Sequence, residues 1–89
     1  MAIKKDKIRG RELITTSTYE ELIINNEREL FHLKNVVIHN MSDDKIHVIV
    51  NGGDELSIYS NEALTCGDIK VYSIVVVEKN SSIRYMGIQ

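Results

Sequence analysis

The chain has 89 residues, of which 43% are hydrophobic and none is proline, and its formal net charge at pH 7 is −2. This composition excludes an intrinsically disordered chain, and the length predicts one domain near the lower limit for independent folding. The single cysteine excludes an intrachain disulfide, and the longest apolar run, residues 74–77, is far too short to cross a bilayer. We therefore expect a cytoplasmic protein without a membrane partner, for which association is the available source of extra stability.

The first eleven residues differ from the rest of the chain in charge. Residues 1–11 carry a net charge of +4, whereas residues 12–89 carry −6. No hydrophobic periodicity runs through this segment, which predicts a flexible arm of residues 1–11 before a single β domain of residues 12–89. The arm contacts either nucleic acid or an acidic neighbouring surface, or it is only a solvated tail. Its cations are Lys4, Lys5, Lys7, Arg9 and Arg11.

Residues 18–25 fit two secondary structures. The run Thr-Tyr-Glu-Glu at residues 18–21 has the spacing of a capping box, which favours a short helix. Three aliphatic residues at 22–24 followed by two asparagines favour a strand that meets a turn. A helix of two turns with a poor apolar stripe is marginal, so we predict a strand over residues 21–24.

Residues 35–59 indicate two consecutive β-hairpins. A strand over residues 29–40 leads through the polar turn 41–44 into a second strand, and Asn51-Gly52-Gly53-Asp54 leads into a third at 55–59. Asn-Gly and Gly-Gly supply the positive φ angles that a tight hairpin needs. With residues 41–44 as a hairpin turn, Val37 faces Val48 across the strands and both point into the core.

The second half of the chain predicts two further strands. Residues 60–67 form a connection in which residues 62–64 make one helical turn. Residues 68–79 are the longest β run and are apolar on both faces, which predicts a central strand. A turn at residues 80–82 then leads into a terminal hairpin that closes through Ile83, Tyr85 and Gly87.

Together these elements predict an all-β fold: a small antiparallel β-sandwich, jelly-roll-like, with a flexible basic N-terminal arm. Inward-facing side chains follow from the alternation along each predicted strand. The predicted core consists of Phe31, Leu33, Val37, Ile46, Val48, Val50, Val71, Val75 and Val77.

The opposite faces of the same strands remain strongly apolar. Burying six such side chains is worth on the order of 10 kcal/mol, and a soluble monomer rarely leaves so large a patch in water. We therefore predict a homo-oligomer whose contact is made by these faces. The predicted oligomer interface is Val36, Ile38, Ile49, Tyr72, Ile74 and Val76.

No combination of residues requires a catalytic, cofactor-binding or metal site. In the predicted strands His32 and His47 lie about 20 Å apart, and His39 and His47 point to opposite faces. Cys66 has no neighbouring base in the sequence, and the acidic pairs at residues 43–44 and 54–55 fall in turns, where Asp is favoured for local reasons. We predict that the chain is not an enzyme and holds no cofactor or metal.

Two segments carry a resemblance to a known class of proteins. They are LKNVVIHNMSDDKIHVIVNGG, residues 33–53, and DIKVYSIVVVEKNSSIRYMG, residues 68–87. Ile38, Asn40 and Ser42 mark the end of one strand and Asn51-Gly52 the end of the next, and the strand at residues 69–76 precedes a hairpin ending in Tyr85 and Gly87.

This pattern, over about residues 33–87, resembles small β-sandwich structural proteins of tailed bacteriophages, among them head-decoration, head-fibre and tail-associated components. The resemblance implies a non-enzymatic part of a virion, assembled in the host cytoplasm. Its expected partners are further copies of the chain or other virion proteins, including a larger shell on which it docks.

Two other functions remain open at the level of sequence. The basic arm fits a small nucleic-acid-binding regulator, although it carries no aromatic residue for stacking on bases. A surface-binding module for carbohydrate or a receptor would group exposed aromatic residues on one face, and Tyr59, Tyr72 and Tyr85 are the candidates.

Overall fold

A computed structural model describes residues 7–22 and 32–89 of the chain. These residues contain eight strands, in two four-stranded antiparallel sheets, and no helix that could span a membrane. The strands are β1 Ile8–Ile14, β2 Glu20–Glu21, β3 Lys34–Asn40, β4 Ile46–Val50, β5 Glu55–Ile58, β6 Ala63–Thr65, β7 Ile74–Val76 and β8 Ser82–Ile88. Sheet A has the strand order β1-β8-β3-β6, and sheet B has the order β2-β7-β4-β5.

The strand pairs are nested, as in a long hairpin that has been rolled up. β4 pairs with β5 at the centre of the sequence, β3 pairs with β6, β2 with β7, and β1 with β8 at the two ends. The rolled hairpin closes through two further antiparallel pairs, β3 with β8 and β4 with β7. This is the jelly-roll arrangement of two sheets. The predicted all-β antiparallel sandwich is therefore confirmed.

The core lies between the two sheets, and its hydrophobic members among the described residues are aliphatic except for Tyr85. Four members of the predicted core, Leu33, Ile46, Val48 and Val71, are fully buried there. Phe31 lies outside the described residues. The buried hydrophobic residues are Leu22, Leu33, Val36, Ile38, Ile46, Val48, Ile58, Val71, Ile74, Val76, Ile83 and Tyr85.

The prediction for Val37 is wrong, in part because residues 41–45 do not close a hairpin. They cross from sheet A to sheet B, so β3 and β4 lie in different sheets and are not paired with each other. In the observed register Val37 pairs with Met86 and points outward, whereas Val36 and Ile38 point into the core. The alternation that starts at Leu33 is also broken, because the pairing of β3 with β8 shifts register between Lys34 and Val37, and Leu33 and Val36 both point inward. The inward and outward faces of β3 are thus exchanged relative to the prediction.

The same exchange occurs in β7. Residues 77–81 cross between the sheets, and β8 pairs with β1 and β3 instead of forming a terminal hairpin with β7. Residues 72–73 interrupt the predicted strand, so Val71 and Ile74 both point inward. Ile74 and Val76 are therefore inside, and Val75 and Val77 are only half-buried. Val50, also in the predicted core, packs against its margin and is half-buried.

Two local predictions also need correction, and a third is tested only in part. Residues 62–64 do not make a helical turn, since β6 begins at Ala63 and pairs with β3. Residues 68–79 are not one strand, because β7 spans only three residues and Val71 forms an isolated bridge with Leu33. In the ambiguous segment the described part is a short strand, β2, and residues 23–25 lie outside the described residues.

The beginning of β1 shortens the predicted arm. β1 starts at Ile8 and pairs with β8 over seven consecutive residues, so residues 8–11 belong to sheet A. Lys7 extends this pairing, because its backbone C=O accepts a hydrogen bond from the N–H of Gln89 at 2.8 Å. Residues 1–6 lie outside the described part of the chain.

Candidate interaction surface

The surface that stands out is the outer face of sheet A, where β1, β8 and β3 meet. The register places Ile8 beside Ile88 and Gly10 beside Met86, and Val37 lies on the other side of Met86. Val37 and Met86 point away from the core because their neighbours in β3 and β8 are buried, and the register places Ile8 and Gly10 on the same face. We call Ile8, Val37, Met86 and Ile88 the outer apolar strip.

The outer apolar strip is open to solvent. Ile8 is 78% exposed and Met86 is 45% exposed, which is unusual for large hydrophobic side chains lying side by side. A shallow depression of about 170 Å³ runs between the members of the strip. A second, of about 300 Å³, lies on the other side of Met86, towards Glu12 and Arg84. The arrangement suits contact with another apolar surface better than enclosure of a small ligand.

Gly10 keeps this part of the face flat. A Cβ added there would lie 3.0 Å from Cγ of Met86 and would collide with the backbone oxygen of Tyr85. The bare backbone therefore lets the Met86 side chain lie close to β1. On the inner face Gly87 has a comparable role, since a Cβ there would lie 2.8 Å from Cγ2 of Val36.

The cations of the predicted arm do not form one free basic segment. Nε of Arg9 donates to Oε1 of Gln89 at 2.7 Å, and Nη1 of Arg11 donates to the backbone oxygen of Leu22 at 3.1 Å. Arg11 thus links sheet A to the edge of sheet B. Lys7 is exposed, whereas Lys4 and Lys5 lie outside the described residues. Partner binding by Lys4, Lys5, Lys7, Arg9 and Arg11 stays a prediction.

The predicted oligomer interface does not exist as a surface. Val36, Ile38, Ile74 and Val76 are fully buried inside the chain, because irregularities at residues 34–37 and 72–73 shift the alternation of β3 and β7. Of the remaining two, Ile49 is half-buried on the outer face of sheet B and Tyr72 is exposed in the connection between β6 and β7. The predicted homo-oligomer stays a prediction, but its contact cannot be made by the four buried residues.

His47 and Glu78 form a polar pair on sheet B. Nδ1 of His47 lies 2.5 Å from Oε2 of Glu78, and the backbone N–H of His47 donates to Oε1 of the same carboxylate at 2.8 Å. Partial burial acts to raise the pKa of Glu78, but the hydrogen bonds from the His47 side chain and backbone outweigh it, so this pKa is lowered. The pair fastens the connection between β7 and β8 to β4.

The histidines and the cysteine do not converge. His39 lies on the outer face of sheet A, beside Arg84, and His47 lies on the outer face of sheet B, beside Ser57. Within residues 7–22 and 32–89, no three His, Cys, Asp or Glu side chains are grouped as metal ligands would be. Cys66 is half-buried, and this burial raises the pKa of its thiol, which disfavours the reactive thiolate.

The three tyrosines proposed for a surface-binding module are also separated. Tyr85 is 6% exposed and lies in the core. Tyr59 follows β5 at the end of the sandwich where β4 begins, and its ring lies beneath the Lys45 ammonium at 5.5 Å. Tyr72 lies at the other end, where its backbone N–H donates to the Asn51 side chain. They do not form the common aromatic face that this alternative requires.

The outer apolar strip was missed at the level of sequence because its members come from both ends of the chain and from β3. Residues 8–11 were assigned to the arm on their charge, and Gly10 and Glu12 interrupt the apolar alternation of β1. The alternation of Arg84, Met86 and Ile88 in β8 was a usable signal, but only pairing with β1 shows that Ile8 lies beside it. No protein-family model matches the chain, and neither the curated proteins nor the solved structures include a significant match.

Proposed function

We propose that the chain is a non-enzymatic structural module of a virion of the tailed-bacteriophage type. It assembles with further copies of itself or docks on a larger protein shell. The observation that carries this proposal is the outer apolar strip, in which Ile8 and Met86 lie exposed beside the half-buried Val37 and Ile88. An exposed apolar patch on a small soluble domain is characteristic of a protein–protein contact.

The fold is in keeping with this role. Jelly rolls occur in viral capsid proteins, in lectins and in cupins, and a fold alone does not select one of these functions. The separation of Tyr59 from Tyr72, together with the burial of Tyr85, speaks against an aromatic carbohydrate platform. The separation of His39 from His47 leaves no histidine cluster of the cupin kind among the described residues.

Incorporation into particles tests the proposal. Particles purified on a density gradient from lysed cells that carry the gene should contain the chain in a fixed ratio to the major shell protein. Quantitative mass spectrometry of the particle band measures that ratio. A chain that stays entirely in the soluble fraction would contradict the proposed function.

A pair of variants tests whether the outer apolar strip makes the contact. Met86→Glu places a charge in the centre of the strip and should lower the copy number in particles at least tenfold, because an unpaired charge in an apolar contact is costly. Ser57→Glu introduces the same charge on the outer face of sheet B and should leave the copy number unchanged. Thermal unfolding of both purified variants checks that each is folded.

A further inference from the structure

The four edges of the two sheets are unequal. Sheet B ends in β2 and β5, of two and four residues, and sheet A ends in β6 and β1, of three and seven residues. Natural β proteins keep exposed edges short or bulged, because an open row of backbone groups invites pairing with another chain. β1 is long, and its register with β8 has no bulge.

The hydrogen bonds at the two ends of β1 show which of its backbone groups have no partner among residues 7–22 and 32–89. Lys7 and Gln89 exchange hydrogen bonds at one end, and the N–H of Thr15 donates to the oxygen of Ser81 at the other. In an antiparallel pair such residues alternate, so the odd-numbered residues of β1 point their backbone groups at β8. Ile8, Gly10, Glu12 and Ile14 therefore direct their N–H and C=O groups to the open edge.

From this geometry we infer that β1 pairs antiparallel with β1 of a second copy, giving one continuous eight-stranded sheet across two sandwiches. This inference names a partner and a contact for the proposed structural role. It rests on the proposed function only in that both require the chain to associate. A two-fold axis at Arg11 places Ile8 opposite Ile14 of the second copy and Gly10 opposite its Glu12. These four residue pairs can exchange about eight backbone hydrogen bonds.

The side chains favour this register over its neighbours. Ile8 and Ile14 are 78% and 63% exposed in the single chain, and the pairing brings each against the other from the second copy. A shift of the axis to Gly10 would place Arg9 opposite Arg11, and a shift to Glu12 would place two glutamates opposite each other. Either of these two registers would form about two fewer backbone hydrogen bonds than the register centred on Arg11. At the Arg11 axis each guanidinium is held by the Leu22 carbonyl of its own chain, and so points towards sheet B.

A proline substitution can test pairing at the open edge of β1 without disturbing the pairing of β1 with β8. Glu12→Pro removes one N–H from the open edge and none from the pairing with β8, and proline is tolerated at such positions of edge strands. Because both copies carry the change, two intersubunit hydrogen bonds are lost, and the dimer dissociation constant should rise at least about tenfold. Glu12→Ala changes the side chain but keeps the N–H, and should dimerise like the parent chain.

Size exclusion with light scattering should give twice the 10.2 kDa mass of the chain for the parent and for Glu12→Ala, and the single mass for Glu12→Pro at the same concentration. Should Glu12→Pro fail to fold, Ile14→Lys provides the second variant. It is expected to weaken the dimer, whereas Ile69→Lys, at a residue 53% exposed in the connection between β6 and β7, is not.

Amide hydrogen exchange gives the decisive pattern. In the dimer, slow exchange should extend to Ile8, Gly10, Glu12 and Ile14, and on dilution these four should become fast while the odd-numbered residues of β1 stay slow. An oligomer in which the four amides exchange fast overturns the inference but leaves the proposed function intact. A monomer at about 100 μM also overturns it, whether the four amides are fast or are protected by the chain's own residues. Incorporation into particles is scored separately.

Discussion

The two ends of the sandwich are each held by an asparagine, and the two asparagines do this in different ways. Asn40 ends β3 and is fully buried, and its amide bonds the backbone oxygens of Asp44 and Ile58 and the N–H of Ser42. Asn51 follows β4, is half-buried, and bonds the oxygen of Lys70 and the N–H groups of Tyr72 and Ser73.

The difference lies in what each residue needs from its own backbone. Asn51 has a φ of 54° and is followed by Gly52 at 70°, so it is placed by the local requirements of a hairpin turn. Asn40 is an ordinary strand residue and is placed by the crossing of the chain from sheet A to sheet B. A buried amide that satisfies three backbone groups without water contributes more than one that solvent can partly replace.

The largest expected effect is at Asn40. Asn40→Ala should lower the free energy of unfolding by about 3 kcal/mol, since it leaves two carbonyl oxygens and one N–H without their partner in the interior. Denaturant unfolding followed by circular dichroism measures this. Asn40→Asp keeps an acceptor for Ser42 but loses both donors, and should be destabilised to a similar degree. A loss below 1 kcal/mol for Asn40→Ala would show that water replaces the amide.

A smaller effect is expected at Asn51, where two contributions can be separated. Asn51→Gly removes the three side-chain hydrogen bonds but tolerates the positive φ, and should cost about 1 kcal/mol. Asn51→Ala adds the strain of a positive φ and should cost about 1 kcal/mol more. Equal unfolding free energies for the two variants would mean that the turn relaxes to a negative φ.

The smallest effect concerns His47 and Glu78 near the Asn40 end. Because the pKa of Glu78 is lowered in the folded chain, its contribution to stability is present above the ordinary value of about 4.5 and is lost as the pH falls through the folded value. Glu78→Gln should cost about 0.5 kcal/mol at pH 7, since the carboxylate is partly exposed, and should flatten the fall in stability below pH 5.

Unfolding midpoints measured in urea from pH 3 to pH 7 test this expectation. Glu55→Gln, which removes one carboxylate from the exposed strand β5, controls for the change in net charge. A pH dependence of Glu78→Gln that matches that of the parent chain would contradict the assignment.

The same contrast explains what the sequence could predict. The hairpin at Asn51-Gly52 and the strands around it were found because turn chemistry and alternation are local. The turn at residues 41–44 was also recognised, but a polar turn of that length can either close a hairpin within one sheet or cross to the other. A hairpin at this turn and unbroken alternation from Leu33 together predict a surface position for Val36 and Ile38, whereas the register shift in β3 places both in the core.

The candidate surface was less accessible from sequence for a related reason. Its formation requires β1 and β8 to be neighbours, and Arg9 and Gln89, which touch there, lie 80 residues apart. The charge of residues 8–11 indicates an arm, whereas Arg9 and Arg11 lie in a strand and donate hydrogen bonds to Gln89 and Leu22. Composition reports the charge of a segment but not the partners that the fold provides for it.

The nesting of the strand pairs has a consequence for the order of folding. Ile49 and Glu55 of the central hairpin are six residues apart, and closing a loop the length of the β1–β8 separation costs about 2 kcal/mol more in chain entropy. Each inner pair shortens the loop left for the next, so we expect closure to proceed from β4 and β5 outwards and β1 to dock last. Until then the edge of β8 that β1 will occupy is open. Where the local concentration of newly synthesised chains is high, the β1 strand that pairs with this edge can belong to another copy.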